Sequence, residues 1–141
     1  MIDTLSPSDR SARMALIRHT HTKPELLVRR LLHRLGYRYR LHRRDLPGTP
    51  DLVFPSRRTV LFVHGCFWHR HVDCALARLP KSRLEFWAPK LQANKERDAR
   101  KIEALKAAGW RVGVVWECQL RDRDTLARRL RAFLDENGEL E

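Results

Sequence analysis

The sequence lacks the long apolar segments that membrane and secreted proteins carry. It contains no apolar run of about 18 residues, the length that a membrane-spanning helix needs, and no apolar core of a signal peptide. It has only three cysteines, and an odd number cannot form a complete internal disulfide framework. Repeats, linkers and low-complexity segments are also missing. We therefore expect no membrane span, no secretion and a reducing cytoplasm as the compartment.

Acidic residues are scarce as well. Asp and Glu number 17 against 29 Lys and Arg, which gives a formal net charge of +12. A field of this sign favours a polyanion as partner, and nucleic acid is the commonest polyanion for a soluble domain. A basic surface without a partner and attraction to anionic lipid remain alternatives.

The length and hydrophobic pattern predict one α/β domain over residues 1–141, with a polar, flexible segment at 1–10. Helices are predicted over about 11–19, 22–36, 90–108 and 124–135, and strands over about 37–41, 51–54, 60–63 and 111–117. A sheet of about four strands covered by helices is the economical packing, and its last strand should lie parallel to a neighbour. No dimerisation signal stands out, which favours a monomer.

Residues 59–74 carry the densest chemistry of the chain. The apolar run 60–63 predicts a strand buried on both faces, and within nine residues of Gly65 come two cysteines, two histidines and two large aromatics. The spacing C-x4-H-x2-C is completed by one distant cysteine that follows another apolar strand. Three thiolates and one imidazole are typical of a structural zinc site, here Cys66, His71, Cys74 and Cys118. Three unrelated thiols and a surface histidine are the alternative.

Two acidic residues each have a structural and a functional interpretation. Glu25 stands three residues after Thr22, so the pair forms a capping box at a helix N-terminus, and local sequence alone favours that structural role. Asp51 follows Pro50 at the start of a buried strand, where a carboxylate is well placed to hold a cation at the edge of a sheet. A turn or N-cap aspartate is the alternative for Asp51.

Six short motifs, taken together over roughly residues 11–120, resemble the very-short-patch-repair (Vsr) DNA mismatch endonucleases. They are Thr-Lys-Pro-Glu25, Leu-Pro-Gly-Thr-Pro-Asp51, Phe-Val-His-Gly-Cys-Phe-Trp-His69-x-His-x-x-Cys74, Glu-Phe-Trp87-x-x-Lys90, Asn94-x-x-Arg-Asp98 and Gly-Trp-Arg-Val-x-Val-Val-Trp-Glu-Cys118. The motifs occur in family order, and the Gly-Cys-Phe-Trp-His block is the most specific of them.

The resemblance implies a Mg²⁺-dependent nick in one strand of duplex DNA, 5′ of the thymine in a T·G mismatch. Such mismatches arise when 5-methylcytosine deaminates, so the implied enzyme initiates very short patch repair beside a cytosine-5 DNA methyltransferase. Mismatch-repair proteins are further implied partners, and the implied location is the nucleoid. The implied fold is the restriction-endonuclease-like PD-(D/E)xK core with an added structural zinc site.

The resemblance also implies catalytic roles. Asp51 and the backbone carbonyl of Val63 would hold Mg²⁺, and His69 would act as the base that activates water. Glu25 would orient or tune His69, and His64 would assist at the phosphate. The wider nuclease superfamily has an acid and a lysine where this chain has Val63 and His64, which leaves Asp51 as the clear carboxylate ligand. Family members can carry threonine in place of Val63, and a backbone ligand tolerates either residue.

The remaining implied roles concern zinc and DNA. Cys66, His71, Cys74 and Cys118 would hold zinc, Phe67, Trp68 and Trp87 would enter the duplex beside the mismatch, and Met14, Lys90 and Asn94 would contact bases. Packing of the aromatics under the zinc loop or in the core is the alternative. For the whole protein, an endonuclease of relaxed specificity and a zinc-stabilised DNA-binding module without catalysis are the competing functions.

Overall fold

The computed structural model describes residues 21–79 and 82–140. The helix expected near 11–19, the flexible segment expected at 1–10 and the DNA contact assigned to Met14 lie outside these residues. The described elements are α1 (Lys23–Arg34), β1 (Arg40–Leu41), β2 (Leu52–Phe54), β3 (Thr59–His64), α2 (Leu84–Ala107), β4 (Arg111–Trp116) and α3 (Arg123–Asp135). None of the helices in these residues combines the length and apolar character needed to cross a membrane.

The four strands form one mixed sheet in the order β1-β2-β3-β4. β1 and β2 are antiparallel, as are β2 and β3, whereas β3 and β4 are parallel and joined through α2. The sequence prediction of a four-stranded sheet with a parallel last strand is thus confirmed. All six residues of β3 are buried, because helices cover both faces of the sheet.

Two apolar clusters hold the helices on the sheet. On one face, α1 and α3 pack through residues such as Val28, Leu32, Leu126 and Phe133. On the other face, Leu105 of α2 packs with the remaining inward side chains of the strands. The alternation of side chains along each strand supplies apolar residues to both clusters.

The boundaries of two elements differ from the prediction. The strand expected over 37–41 contains only Arg40 and Leu41, because β2 turns into a 3-10 segment after Phe54 and offers no further partner. The helix expected from Lys90 begins at Leu84 and contains Pro89. A proline usually marks a first turn, but here the turn before it packs its aromatic side chains against the preceding loop, and this tertiary contact outweighs the missing backbone donor.

Candidate active site

Asp51 lies beside the end of β3 because β2 and β3 are antiparallel. Leu52 pairs with Leu61, so the residue before β2 stands opposite the last residues of β3. The Asp51 carboxylate accepts the backbone N–H of Val63 at 2.7 Å. The structure therefore brings the predicted carboxylate ligand to the residue whose carbonyl was predicted to share the same cation.

Burial dominates the electrostatics of Asp51. It raises the pKa of the Asp51 carboxyl to about 8, the Val63 N–H opposes the rise, and the nearby Glu25 carboxylate adds to it. The carboxyl therefore keeps a proton at neutral pH when no cation is near. A divalent cation would replace that proton, and hard cations such as Mg²⁺ prefer oxygen ligands of this kind.

Glu25 belongs to this carboxylate site rather than to the helix cap alone. The Thr22 side chain accepts the Glu25 backbone N–H at 3.3 Å, as predicted for a cap. The Glu25 carboxylate is buried, however, and accepts hydrogen bonds from His42 at 3.0 Å and from Arg29 at 3.2 Å. The donor atoms of Glu25, His42 and Asp51 all lie within 4.8 Å of one another.

The carboxylate that orients His69 is Asp98, not Glu25 as the resemblance implied. His69 Nδ1 lies 2.5 Å from Asp98 Oδ2, whereas Glu25 is engaged with His42 and Arg29. Asp98 lies on α2, one turn after Asn94. Its place in the Asn94-x-x-Arg-Asp98 motif was the sequence signal, but no role could be assigned without the fold.

His64 stacks on His69. The two rings are parallel within 5° with centroids 3.9 Å apart, and the Trp116 ring lies at 73° to His64 with its centroid 5.1 Å away. Burial, together with the neighbouring His69, lowers the pKa of His64 to about 3, so its imidazole is neutral. Within the described residues His64 Nδ1 is buried without a hydrogen-bond partner. A neutral imidazole with one nitrogen unsatisfied fits a contact to a ligand better than a purely structural place.

One cavity of about 530 Å³ joins these groups. It contains seven of the side chains or backbone positions predicted for catalysis and DNA contact, together with the newly identified Asp98 and the cations Arg97 and Lys101. The predicted members are Asp51, Val63, His64, Trp68, His69, Lys90 and Asn94. The ends of β2 and β3 together with α2 thus form a cleft that is lined by carboxylates, imidazoles and basic side chains.

Large aromatic side chains form a cluster next to this cavity, and one of them, Trp68, lines it. Phe67 meets Trp68 at 5.0 Å and Trp87 at 5.6 Å between ring centroids, and Phe86 joins the cluster through Trp87 at 5.2 Å. Phe86 keeps 45% of its surface exposed, and the Lys90 ammonium lies over Phe86 and Trp87. An exposed aromatic cluster flanked by cations is suited to stacking on bases next to phosphates.

The predicted zinc ligands converge because β3 and β4 are parallel and in register. His64 pairs with Trp116, and Cys66 and Cys118 each lie two residues beyond that pair. The donor atoms of Cys66, His71, Cys74 and Cys118 lie within 4.8 Å of one another, and the three cysteines are free. His71 Nδ1 is 3.6 Å from Cys66 Sγ and 3.5 Å from Cys118 Sγ.

These distances fit a tetrahedral metal. Zn–S bonds of about 2.3 Å and a Zn–N bond of about 2.0 Å place sulfur and nitrogen about 3.6 Å apart in a tetrahedron. Glu117 accepts the Cys66 backbone N–H at 3.3 Å, and Trp116 stacks on His71 with centroids 4.2 Å apart, so neighbouring groups orient both ligands. Burial raises the pKa of the Cys66 thiol to about 12 and lowers that of His71.

Comparison with known proteins gives concordant matches. The family model described as DNA mismatch endonuclease Vsr matches residues 2–76. The chain is 61% identical to the type II nicking enzyme V.XorIIP of Xanthomonas oryzae pv. oryzae, over 96% of this chain and 98% of that protein. It is 44% identical to the DNA mismatch endonuclease Vsr of Escherichia coli, over 89% of this chain and 80% of that protein.

A solved structure supports the fold. The catalytic domain of the homing endonuclease I-Bth0305I superposes with a TM-score of 0.55 at 18% sequence identity, covering 80% of this chain and 94% of that domain. At this identity the similarity concerns the fold alone. It agrees with the restriction-endonuclease-like core that the sequence motifs implied.

Proposed function

The chain belongs to the Vsr family of DNA mismatch endonucleases and is a nuclease acting on DNA, and we propose that it nicks one strand of duplex DNA 5′ of the thymine in a T·G mismatch. One observation carries this proposal: Trp68, from the aromatic cluster, lines the same cavity as Asp51, His64 and His69. A side chain able to enter a base step thus stands directly beside groups able to cleave a phosphodiester.

The carboxylates and the imidazoles have separate roles in the proposed hydrolysis. Asp98 fixes one nitrogen of His69, so the other is free to accept the proton of the attacking water. The neutral His64 donates one hydrogen bond from a ring N–H to an oxygen of the scissile phosphate. Arg97 and Lys101 supply positive charge along the cavity wall. A magnesium ion held by Asp51 and the Val63 carbonyl would neutralise charge on the phosphoryl oxygens.

The aromatic cluster supplies mismatch selectivity. Inserting Phe67, Trp68 and Trp87 into a base step costs a few kcal/mol of unstacking, and the cost is lower at a pair that is already weakened. Lys90, over the rings of Phe86 and Trp87, lies where a phosphate would flank the opened step. Asn94 lines the cavity beside Trp68 and would contact an exposed base edge.

Zinc has a structural part in this proposal. In the set of three cysteines and one histidine, Cys66 and Cys118 lie two residues beyond the ends of β3 and β4. Closing this set would tie the 65–79 loop, which carries the aromatic residues and His69, to the sheet.

The proposed substrate also indicates partners and a location. T·G pairs are produced by deamination of 5-methylcytosine, which makes a cytosine-5 methyltransferase the functional partner. Mismatch-repair proteins are proposed as further partners, and the cytoplasmic nucleoid is the proposed location.

The test is strand-resolved nicking of one labelled duplex scaffold that carries T·G, another mismatch or T·A at a single site. We expect one Mg²⁺-dependent cut, 5′ of the thymine, on the T·G duplex only. Cutting of several mismatches or of T·A would replace the proposal with relaxed specificity. Tight binding without cutting, unchanged by Asp51→Ala, would favour a DNA-binding module.

A further inference from the structure

His42 has contacts that place it in the active site, although the sequence motifs gave it no role. Its backbone N–H donates to the Asp51 carbonyl at 3.2 Å, which extends the β1–β2 ladder by one residue. Its φ of +46° lies in the left-handed region that residues other than glycine rarely adopt. The chain therefore turns sharply at His42 while its backbone stays fixed beside Asp51.

The His42 side chain hydrogen-bonds to both oxygens of the Glu25 carboxylate. His42 Nε2 lies 3.0 Å from Oε1 and 3.1 Å from Oε2 of Glu25. Because an ionised carboxylate only accepts hydrogen bonds, His42 Nε2 carries the proton that it shares between the two oxygens. Only 2% of the Glu25 side chain is exposed, and Arg29 holds the same carboxylate from the other side at 3.2 Å.

The interaction between His42 and Glu25 bears on cation binding because Glu25 and Asp51 lie together at the candidate cation site. The donor atoms of Glu25, His42 and Asp51 fall within 4.8 Å, and His42 and Asp51 both line the cavity. The Glu25 carboxylate also shares a hydrogen bond with the Asp51 carboxyl, and without His42 the Arg29 guanidinium would draw Glu25 away from Asp51. When a side chain that hydrogen-bonds to a metal-binding carboxylate is removed, the affinity for the metal typically falls about 10- to 100-fold.

We propose that His42 is a positioning residue that fixes the Glu25 carboxylate beside Asp51 and thereby sets how tightly the nicking site holds its divalent cation. The inference rests on the proposed function for the identity of the reaction, but not for the cation affinity itself. It concerns a side chain outside the motifs that identified the family.

The variants are His42→Leu, which removes the donor, and His42→Gln, which keeps an N–H donor. The matched control is Gln92→Leu, because Gln92 donates to Glu96 at 3.4 Å on the exposed side of α2, outside the cavity. Two quantities are measured. Mn²⁺ affinity comes from the free-ion electron paramagnetic resonance signal with T·G duplex present, and the Mg²⁺ concentration for half-maximal nicking comes from initial rates.

We expect His42→Leu to weaken Mn²⁺ binding and to raise the half-maximal Mg²⁺ concentration by about tenfold or more, with the maximal rate changed less. His42→Gln should recover most of the affinity, and Gln92→Leu should behave as the unmodified protein. Duplex affinity without divalent cation should be the same in all three. Cation affinities of His42→Leu equal to those of the unmodified protein would overturn the inference.

A thermodynamic cycle with Glu25→Gln covers the case in which His42→Leu unfolds. The cycle then uses His42→Asn, which tolerates the left-handed backbone but has too short a side chain to reach Glu25, and its loss of Mn²⁺ affinity should vanish in the Glu25→Gln background, because the two residues act as one unit. Additive losses would refute the coupling. Absence of T·G nicking with His42-dependent Mn²⁺ binding would refute the proposed function alone, whereas normal nicking with His42-independent binding would refute only this inference.

Discussion

Among individual residues, the candidate active site consists of acidic and imidazole groups that are held in pairs. Asp98 holds His69, His42 holds Glu25, and the Val63 backbone holds Asp51. Each pair joins residues that are 12 or more positions apart in the chain. The sequence supplied most of the members, but the structure changed the pairing, since Glu25 was expected to act on His69.

Asp51→Asn should abolish nicking and stabilise the cation-free protein. An unfolded aspartate ionises near 3.8, whereas burial keeps the folded Asp51 carboxyl protonated to about 8. Between pH 3.8 and about 8, folding therefore takes up a proton. The contribution of Asp51 to stability falls as the pH rises through this range. Asparagine has no proton to lose and its oxygen can still accept the Val63 N–H.

We expect the Tm of Asp51→Asn to exceed that of the unmodified protein by about 3 to 5 °C at pH 8, as a gain of about 1 kcal/mol produces in a domain of this size. The difference should shrink toward pH 5. Thermal unfolding in magnesium-free buffer measures it. Asp45→Asn is the control, because Asp45 is exposed and bonded to Arg43, and it should show no such gain. A pH-independent difference would contradict the assignment.

Among the secondary-structure elements, α1 contributes to the candidate site, to the core and to a basic groove. Its first turn places Glu25 beside His42 and Asp51, and its apolar face packs on the sheet through Val28 and Leu32. Its outer face borders a groove of about 500 Å³ with four basic side chains. The groove is lined by Leu26, Arg29, Arg30, His33, Arg34 and Tyr39. At a rise of 1.5 Å per residue, Arg29, the first basic residue of the groove, lies about 6 Å along the helix from Glu25.

This groove is expected to contact the phosphates that flank the cut. Replacing both Arg30 and Arg34 by glutamine should weaken binding to matched and mismatched duplexes alike. Each lost phosphate contact reduces the slope of log affinity against log salt by about 0.9, so the double variant should lose about 1 to 2 units of slope. Duplex titrations at several salt concentrations measure this.

The same two substitutions at Arg128 and Arg131, which are exposed on α3, provide the control. They should leave the salt slope close to that of the unmodified protein. Equal loss from both pairs would show that only net charge matters and that the α1 groove has no special place in DNA binding.

At the scale of the whole molecule, the parallel pairing of β3 and β4 puts both candidate centres at one end of the sheet. The last residues of β3 lie beside the candidate cation site. The first candidate zinc ligand, Cys66, follows two residues after the end of β3. Within the 65–79 loop only Cys66 and Ala77 are buried. Apart from the contacts of Phe67 and Trp68 with Trp87, the loop has little apolar packing, so its conformation would depend on the metal.

Cys118→Ala should therefore destabilise the protein as a whole. Losing a ligand removes metal-linked folding energy of several kcal/mol, and we expect Tm to fall by about 10 °C or more. Elemental analysis should show loss of one zinc per chain. Val72→Ala is the matched control, because Val72 lies between His71 and Cys74 but is 67% exposed. Retention of zinc and an unchanged unfolding curve in Cys118→Ala would contradict the structural role.

Features that depend on local pattern can be read from the sequence alone. The cap of α1, the buried run of β3, the order of the elements and the clustered Cys and His residues follow from composition and spacing. Together with the specific Gly-Cys-Phe-Trp-His block, they identified the family before any coordinate was known. The start of α2 was missed because Pro89 is a strong local signal, whereas the aromatic contacts that override it are tertiary.

Only the tertiary structure decided which charged groups meet. Asp98 reaches His69, His42 reaches Glu25, and Glu117 reaches the backbone of Cys66. These partners come from different elements, and their distances depend on strand register and on how α1 and α2 lie against the sheet. Local periodicity contains no information about such contacts, because hydrogen bonds between distant residues are fixed only once the core has packed.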